Sequence, residues 1–280
     1  MAGKGPWESR PTGGPEGEPP TPRKSSRTAL AVLVSIIATG VVGIPGFAWL
    51  VSRAPPKSDD QRRFEADYRT CIRSESPEDQ LAACSRLIAS GWLKERSLAM
   101  VYNNRGVAWW RLDRFDEALE DYERALSIDP DDPETHVNKG NAHAFRNEYY
   151  AALASYGQAA VIEPTHPLVH RNMGNALWAI GELEPALKSY DRAVALTPGE
   201  RMPYDLRARL LMHMKRYEGA IADFDAMLRL DARDAQAIYG RGICWERLGQ
   251  TAKAEADYAR ARRIDPRILD EERTRDLTRH

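Results

Sequence analysis

Asparagine carries a hydrogen-bond donor and an acceptor on one planar group. It recurs at Asn104, Asn138 and Asn172, and in the same step at Asn141 and Asn175. Equally spaced carboxamides can pair with both the N–H and the C=O of an extended peptide, whatever its side chains. They can equally bond a neighbouring helix and hold it in register. Arg171 and Arg209, close to these asparagines in sequence, would add attraction for acidic side chains.

Other residue types with chemical potential are present without the arrangement that chemistry needs. His136, His143 and His170 sit at helical spacing and read as packing rings. His166 and His170 are one helical turn apart, but no glutamate adjoins them and no thiol or carboxylate completes a metal set. Gly240-Arg241-Gly242 lacks a third glycine and follows no strand, so it is not a nucleotide fingerprint. Carboxylates such as Asp129, Asp131 and Asp132 lie at turns and helix starts, where they cap N–H groups. The 280 residues carry a net charge of −1, and Arg260 to Arg263 read as the solvated end of a helix, so no nucleic-acid footprint is expected. The expectation is a non-enzymatic protein without cofactor or metal.

The elements that must position the asparagines follow from an ungapped repeat whose units begin at Ala99, Pro133, Pro167, Arg201 and Ala235. Position 8 is Gly106, Gly140, Gly174, Ala208 and Gly242; position 20 is alanine throughout. Position 24 is Tyr122, Tyr156, Tyr190, Phe224 and Tyr258, and position 32 is proline except at Ala232. Small residues at 8 and 20 let two antiparallel helices cross closely. The ring at 24 is expected to fill the space where the next hairpin docks, and proline at 32 stops the second helix. Asp132-Pro133 supplies an N-cap and a first helical residue. A fixed period of about 34 residues predicts a stack of helix hairpins built to present a surface.

This pattern resembles the tetratricopeptide repeat family. The resemblance implies an all-α, right-handed superhelical solenoid with five full repeats over residues 98–266. It also implies that first helices line a concave groove through positions 2, 5, 6, 9, 12 and 13. On that frame Asn103, Asn104, Asn138, Asn141, Arg171, Asn172, Asn175 and Arg209 are the expected peptide-contacting residues. The family's clamp for chaperone tails needs basic residues that this chain replaces with Val137, Met202 and Leu206, so that mode of docking is not expected. Repeat four, without its glycine, one alanine and its proline, is expected to pack more loosely.

A degenerate hairpin is expected over residues 61–97, and a polar capping helix over 267–280. With Ala83 at position 20, Cys71 falls at position 8, where helices approach, and Cys84 follows the facing small residue. A disulfide fits that frame, and two reduced core cysteines are the alternative. The stretch Ala82-Ala83-Cys84 and Ile88-Ala89-Ser90-Gly91 also resembles the opening hairpin of exported bacterial repeat proteins. Residues 1–28, rich in Gly, Pro, Glu, Ser and Thr, predict a disordered tail. Ala29–Val51 runs without a charge. It exceeds the roughly 20 residues that a helix needs to span a bilayer. A membrane anchor over 29–52 with a linker over 53–60 is one reading; a signal cleaved after Ala48 is the other. Basic residues flank both sides, so the cysteines weigh more, and they place the repeats outside the cytoplasm. The expected function is an adaptor binding an extended segment of another protein. A cytoplasm-facing adaptor with reduced cysteines, or a regulatory subunit of an enzyme, are the competing readings.

Overall fold

The computed structural model describes residues 59–268. The predicted tail, the apolar segment Ala29–Val51 and the capping helix beyond Ile268 lie outside them. Among the described residues there are twelve α-helices and no strand. They are α1 (Asp59–Arg73), α2 (Pro77–Ser90), α3 (Glu95–Arg111), α4 (Phe115–Ile128), α5 (Pro133–Phe145) and α6 (Tyr149–Ile162). The series continues with α7 (Pro167–Ala179), α8 (Leu183–Leu196), α9 (Arg201–His213), α10 (Tyr217–Leu230), α11 (Ala235–Arg247) and α12 (Thr251–Ile264). No described helix is long and apolar enough to cross a membrane. The expected linker over 53–60 ends early, because Asp59 already opens α1. The repeats all belong to the compact unit that runs from Asp67 onward.

Each repeat is one hairpin whose ends are set by local chemistry. Asp132 accepts a hydrogen bond from the Thr135 N–H at 3.1 Å ahead of Pro133, and Asp234 accepts one from Ala237 at 3.0 Å. The turn inside each hairpin places position 15 in the left-handed region, at Asp113, Asn147, Gly181, Lys215 and Gly249. Only two of those five are glycine, the residue that adopts this conformation at no steric cost.

The glycine at position 8 serves the ring at 24 of its own hairpin. A Cβ on Gly140 would stand 2.5 Å from Tyr156 Cε1, and one on Gly174 2.5 Å from Tyr190 Cε1. The ring is thus clamped within its hairpin and also packs on the next one, as expected: Tyr122 clusters with Ala142, Tyr156 with Val169 and Ala176, and Tyr190 with Leu210. In repeat four, Ala208 has displaced the glycine, and the small residue has moved one hairpin on. Phe224 lies against Gly240, whose added Cβ would be 2.5 Å from the ring. Packing there is not looser: Ala208, Phe224 and Met227 are buried in a cluster that also holds Leu211, Ile221 and Cys244.

Two further regularities tie the hairpins together. Rings at position 4 reach back to the proline carbonyl of the preceding turn. His136 Nε2 donates to Pro130 O at 2.9 Å, His170 Nε2 to Pro164 O at 2.9 Å, and Tyr204 Oη to Pro198 O at 3.2 Å. At the fourth turn both partners are gone together, as Ala232 and Ile238. Arginines at position 7 grip an aspartate at 23: Arg105–Asp121, Arg207–Asp223 and Arg241–Asp257, through Nε and Nη2 at 2.5–3.0 Å. Position 7 also reaches the acid at 25 of the preceding hairpin, in Lys139–Glu123 at 3.0 Å, Arg207–Asp191 at 2.8 Å and Arg241–Asp225 at 2.6 Å. This ladder skips the junction of α6 and α7, where Gly157 and Met173 occupy the two positions.

Cys71 and Cys84 are joined by a disulfide between α1 and α2, with a Cα–Cα distance of 4.9 Å. Cys244 is a buried free thiol, and burial pushes its pKa up to about 12.

Candidate peptide-binding groove

First helices of successive hairpins pack directly on one another, α3 on α5 and α5 on α7, more than successive second helices do. They therefore form the inner side of the stack. Their side chains cross from hairpin to hairpin. Asn138 Nδ2 donates to Asn103 Oδ1 at 3.1 Å, and Asn172 Nδ2 donates to Asn141 Oδ1 at 2.9 Å.

The amide oxygens are held from below. Tyr156 Oη donates to Asn141 Oδ1 at 2.8 Å, and Tyr190 Oη donates to Asn175 Oδ1 at 2.7 Å. Burial raises both phenol pKa values, so each hydroxyl stays a donor. A hydroxyl donor fixes the amide flip with its oxygen inward. The Nδ2 groups of Asn141 and Asn175 are then left as outward donors. The oxygens thus hold the register, which is the second reading of the carboxamide ladder. Sequence carried a signal for this: asparagine at 9 accompanies tyrosine at 24 in repeats two and three, whereas Arg209 accompanies Phe224.

The eight expected contact residues divide. Asn103 is only 4 % exposed and orients Asn138, so its role is support rather than contact. Arg209 Nε is paired with Asp205 one turn earlier at 3.0 Å, so its charge is already answered. Asn104, Asn138, Asn141, Asn172 and Asn175 are half-buried along the inner side.

Arg171 is different. The half-buried Arg105, Arg201, Arg207 and Arg241 all face a carboxylate. Arg171 contacts Asn172 Oδ1 at 3.4 Å and Met202 Sδ at 3.2 Å. Burial holds its guanidinium below its ordinary pKa, against the pull of Glu200 and of Tyr156 and Tyr190. A desolvated cation without a carboxylate partner is costly unless something else supplies the negative charge. Among the described residues, no group of three or more His, Cys, Asp or Glu side chains could hold a metal ion.

Comparison with known proteins agrees with this architecture. A tetratricopeptide repeat model matches residues 99–132, and a second model of the same description matches 137–201 and 206–267. No curated protein sequence matches the chain. Among solved structures, YrrB, described as a tetratricopeptide repeat protein with an unusual peptide-binding site, is 20 % identical over 69 % of this chain and 98 % of its own, with a TM-score of 0.58. MamA of Desulfovibrio magneticus RS-1 is 20 % identical over 61 % and 96 %, with a TM-score of 0.55. The C-terminal part of a repeat protein from Cytophaga hutchinsonii is 15 % identical over 72 % and 78 %, with a TM-score of 0.64. Stacked hairpins of this kind are scaffolds for protein–protein interaction. With the repeat frame filled from residue 99 to 267, the chain belongs to the tetratricopeptide repeat family.

Proposed function

We propose that this protein is a non-enzymatic adaptor that holds an extended, acidic segment of a partner protein along the inner face of α5 and α7. The observation that carries the reading is Arg171, a half-buried guanidinium that feels Glu200 but makes no ion pair with a carboxylate, set beside the Asn172 amide. Arginine and amide donors together favour acceptors: backbone carbonyls and a carboxylate of the ligand. The groove is tethered by Ala29–Val51 and faces an extracytoplasmic space. The Cys71–Cys84 disulfide supports that side, because such bonds persist in oxidising compartments.

The test is fluorescence anisotropy of the full chain with a labelled peptide of alternating Ala and Asp, beside a peptide of alternating Ala and Lys. The Asp peptide binds and the Lys peptide does not. Arg171→Gln weakens binding at least about tenfold, the loss expected for one charge-assisted hydrogen bond. Equal binding of both peptides, or of the variant, overturns the proposal.

A further inference from the structure

The outer faces of the second helices are charged in every full repeat but one. At positions 18, 22, 25, 26 and 29, α4 carries Asp116, Glu120, Glu123 and Arg124, and α8 carries Glu184, Lys188, Asp191 and Arg192. On α10 the charges are Glu218, Asp225 and Arg229, and on α12 Arg260 and Arg263. In α6 the same positions are Tyr150, Ala154, Gly157, Gln158 and Val161. Among the described helices α6 is the one without Asp, Glu, Lys or Arg anywhere along its length. Tyr150 is 77 % exposed and Val161 76 %, the two most exposed large apolar side chains described. The space above Gly157 is empty: an added Cβ would meet no atom within 4 Å. The ion-pair ladder also breaks at this helix. Neither hairpin packing nor capping accounts for so bare a face, since Tyr150 and Val161 contribute almost nothing to the core.

From this we propose that the outer face of α6 pairs with the same face of a second copy of this chain. Charge argues for that occupant. An isologous contact sets a patch against itself, so a charge near the two-fold axis would meet its own sign, and this is the second helix of the repeats that carries none. Shape argues likewise. Tyr150 and Val161 stand near opposite ends of the helix, with Ala154 and Gly157 evenly placed between them. In an antiparallel pair, Tyr150 reaches over the Val161 end of its partner, and the small residues pass each other at the crossing. Gly157 then lets the two backbones approach. The strength follows from size. This helix is about 21 Å long and about 10 Å across, well short of the ~800 Å² per partner of a standard stable interface. The association is therefore weak and concentration-dependent. Back-to-back pairing leaves both inner grooves open, so the pair offers two ligand sites.

The test is sedimentation velocity of the full chain from about 10 µM to about 1 mM, the range in which so small an interface becomes populated. The wild type shifts from monomer to dimer as concentration rises. Tyr150→Glu and Val161→Glu each weaken the association at least about tenfold, because each sets a desolvated charge against the apolar end of the partner helix. Ala222→Glu, at the corresponding outer position of α10, leaves it unchanged. Oxidised Gly157→Cys gives a covalent dimer of native helicity. A chain that stays monomeric throughout overturns the proposal. So does a dimer that survives both substitutions, as association through Ala29–Val51 would.

Discussion

Replacing glycine by alanine on the two helices of one hairpin should change stability in opposite directions. At Gly140 the new methyl would sit 2.5, 2.6 and 3.0 Å from three ring carbons of Tyr156. Carbon atoms prefer about 3.5–4.0 Å, so the ring must retreat by about 1 Å. It has little room, being 2 % exposed and tied by its hydroxyl to Asn141 at 2.8 Å. Overpacking of this kind costs about 1–3 kcal/mol, and a strained or broken hydrogen bond adds about 1 kcal/mol. Alanine's better helix propensity returns about 1 kcal/mol. The balance for Gly140→Ala is a loss of about 1–3 kcal/mol. At Gly157 nothing opposes the methyl, so Gly157→Ala gains about 0.5–1 kcal/mol from propensity alone. The assay is urea denaturation of the full chain followed by circular dichroism, at concentrations too low for self-association. Hydrogen exchange of α5 and α6 would localise the effect, because repeats unfold by neighbouring units. A Gly140→Ala chain as stable as wild type would refute the ring-clamp argument, as would equal effects at the two sites.

Arg207→Met should cost about 3 kcal/mol at neutral pH, because it strands Asp223, whose side chain is 3 % exposed. Burial already raises the pKa of Asp223 despite Arg207, and removing the arginine raises it further. A raised carboxyl pKa destabilises the fold above it and not below, so the deficit in urea titrations should shrink as pH falls towards about 4. Lys215→Gly should stabilise by about 0.5–1 kcal/mol in the same titrations, since Lys215 holds φ at 60° with an exposed side chain. Thiol labelling should find no reactive cysteine in the native chain and one, Cys244, after unfolding without reductant. All three should appear once the disulfide is reduced; three reactive thiols without reductant would contradict the bond.

Much of the fold was legible because the period imposes the same demand five times. Gly140 and Tyr156, or Ala152 and Pro164, are readable as hairpin chemistry without coordinates. Pairings that skip between hairpins were harder. His136 and Pro130 belong to different repeats, and only their joint replacement, by Ile238 and Ala232 at the fourth turn, betrays the bond. Position 15 went unread because Asp113, Asn147 and Lys215 adopt a glycine conformation without being glycine. The compensation in repeat four was hidden because Gly240 stands at an asparagine position rather than at a glycine one. The groove was half legible. A carboxamide has two sides, and sequence cannot choose which faces the helix; Tyr156 and Tyr190 choose. The difference between Arg171 and Arg209 rests on Asp205, one turn away and on the same helix.

The most direct test of the groove is nuclear magnetic resonance of isotope-labelled full chain titrated with the alternating Ala–Asp peptide. The side-chain N–H signals of Asn138, Asn141, Asn172, Asn175 and Arg171 should shift together, while the backbone signals of Tyr150 and Gly157 on the outer face stay still. Shifts confined to the outer face, or amide signals unmoved at saturating peptide, would contradict the account.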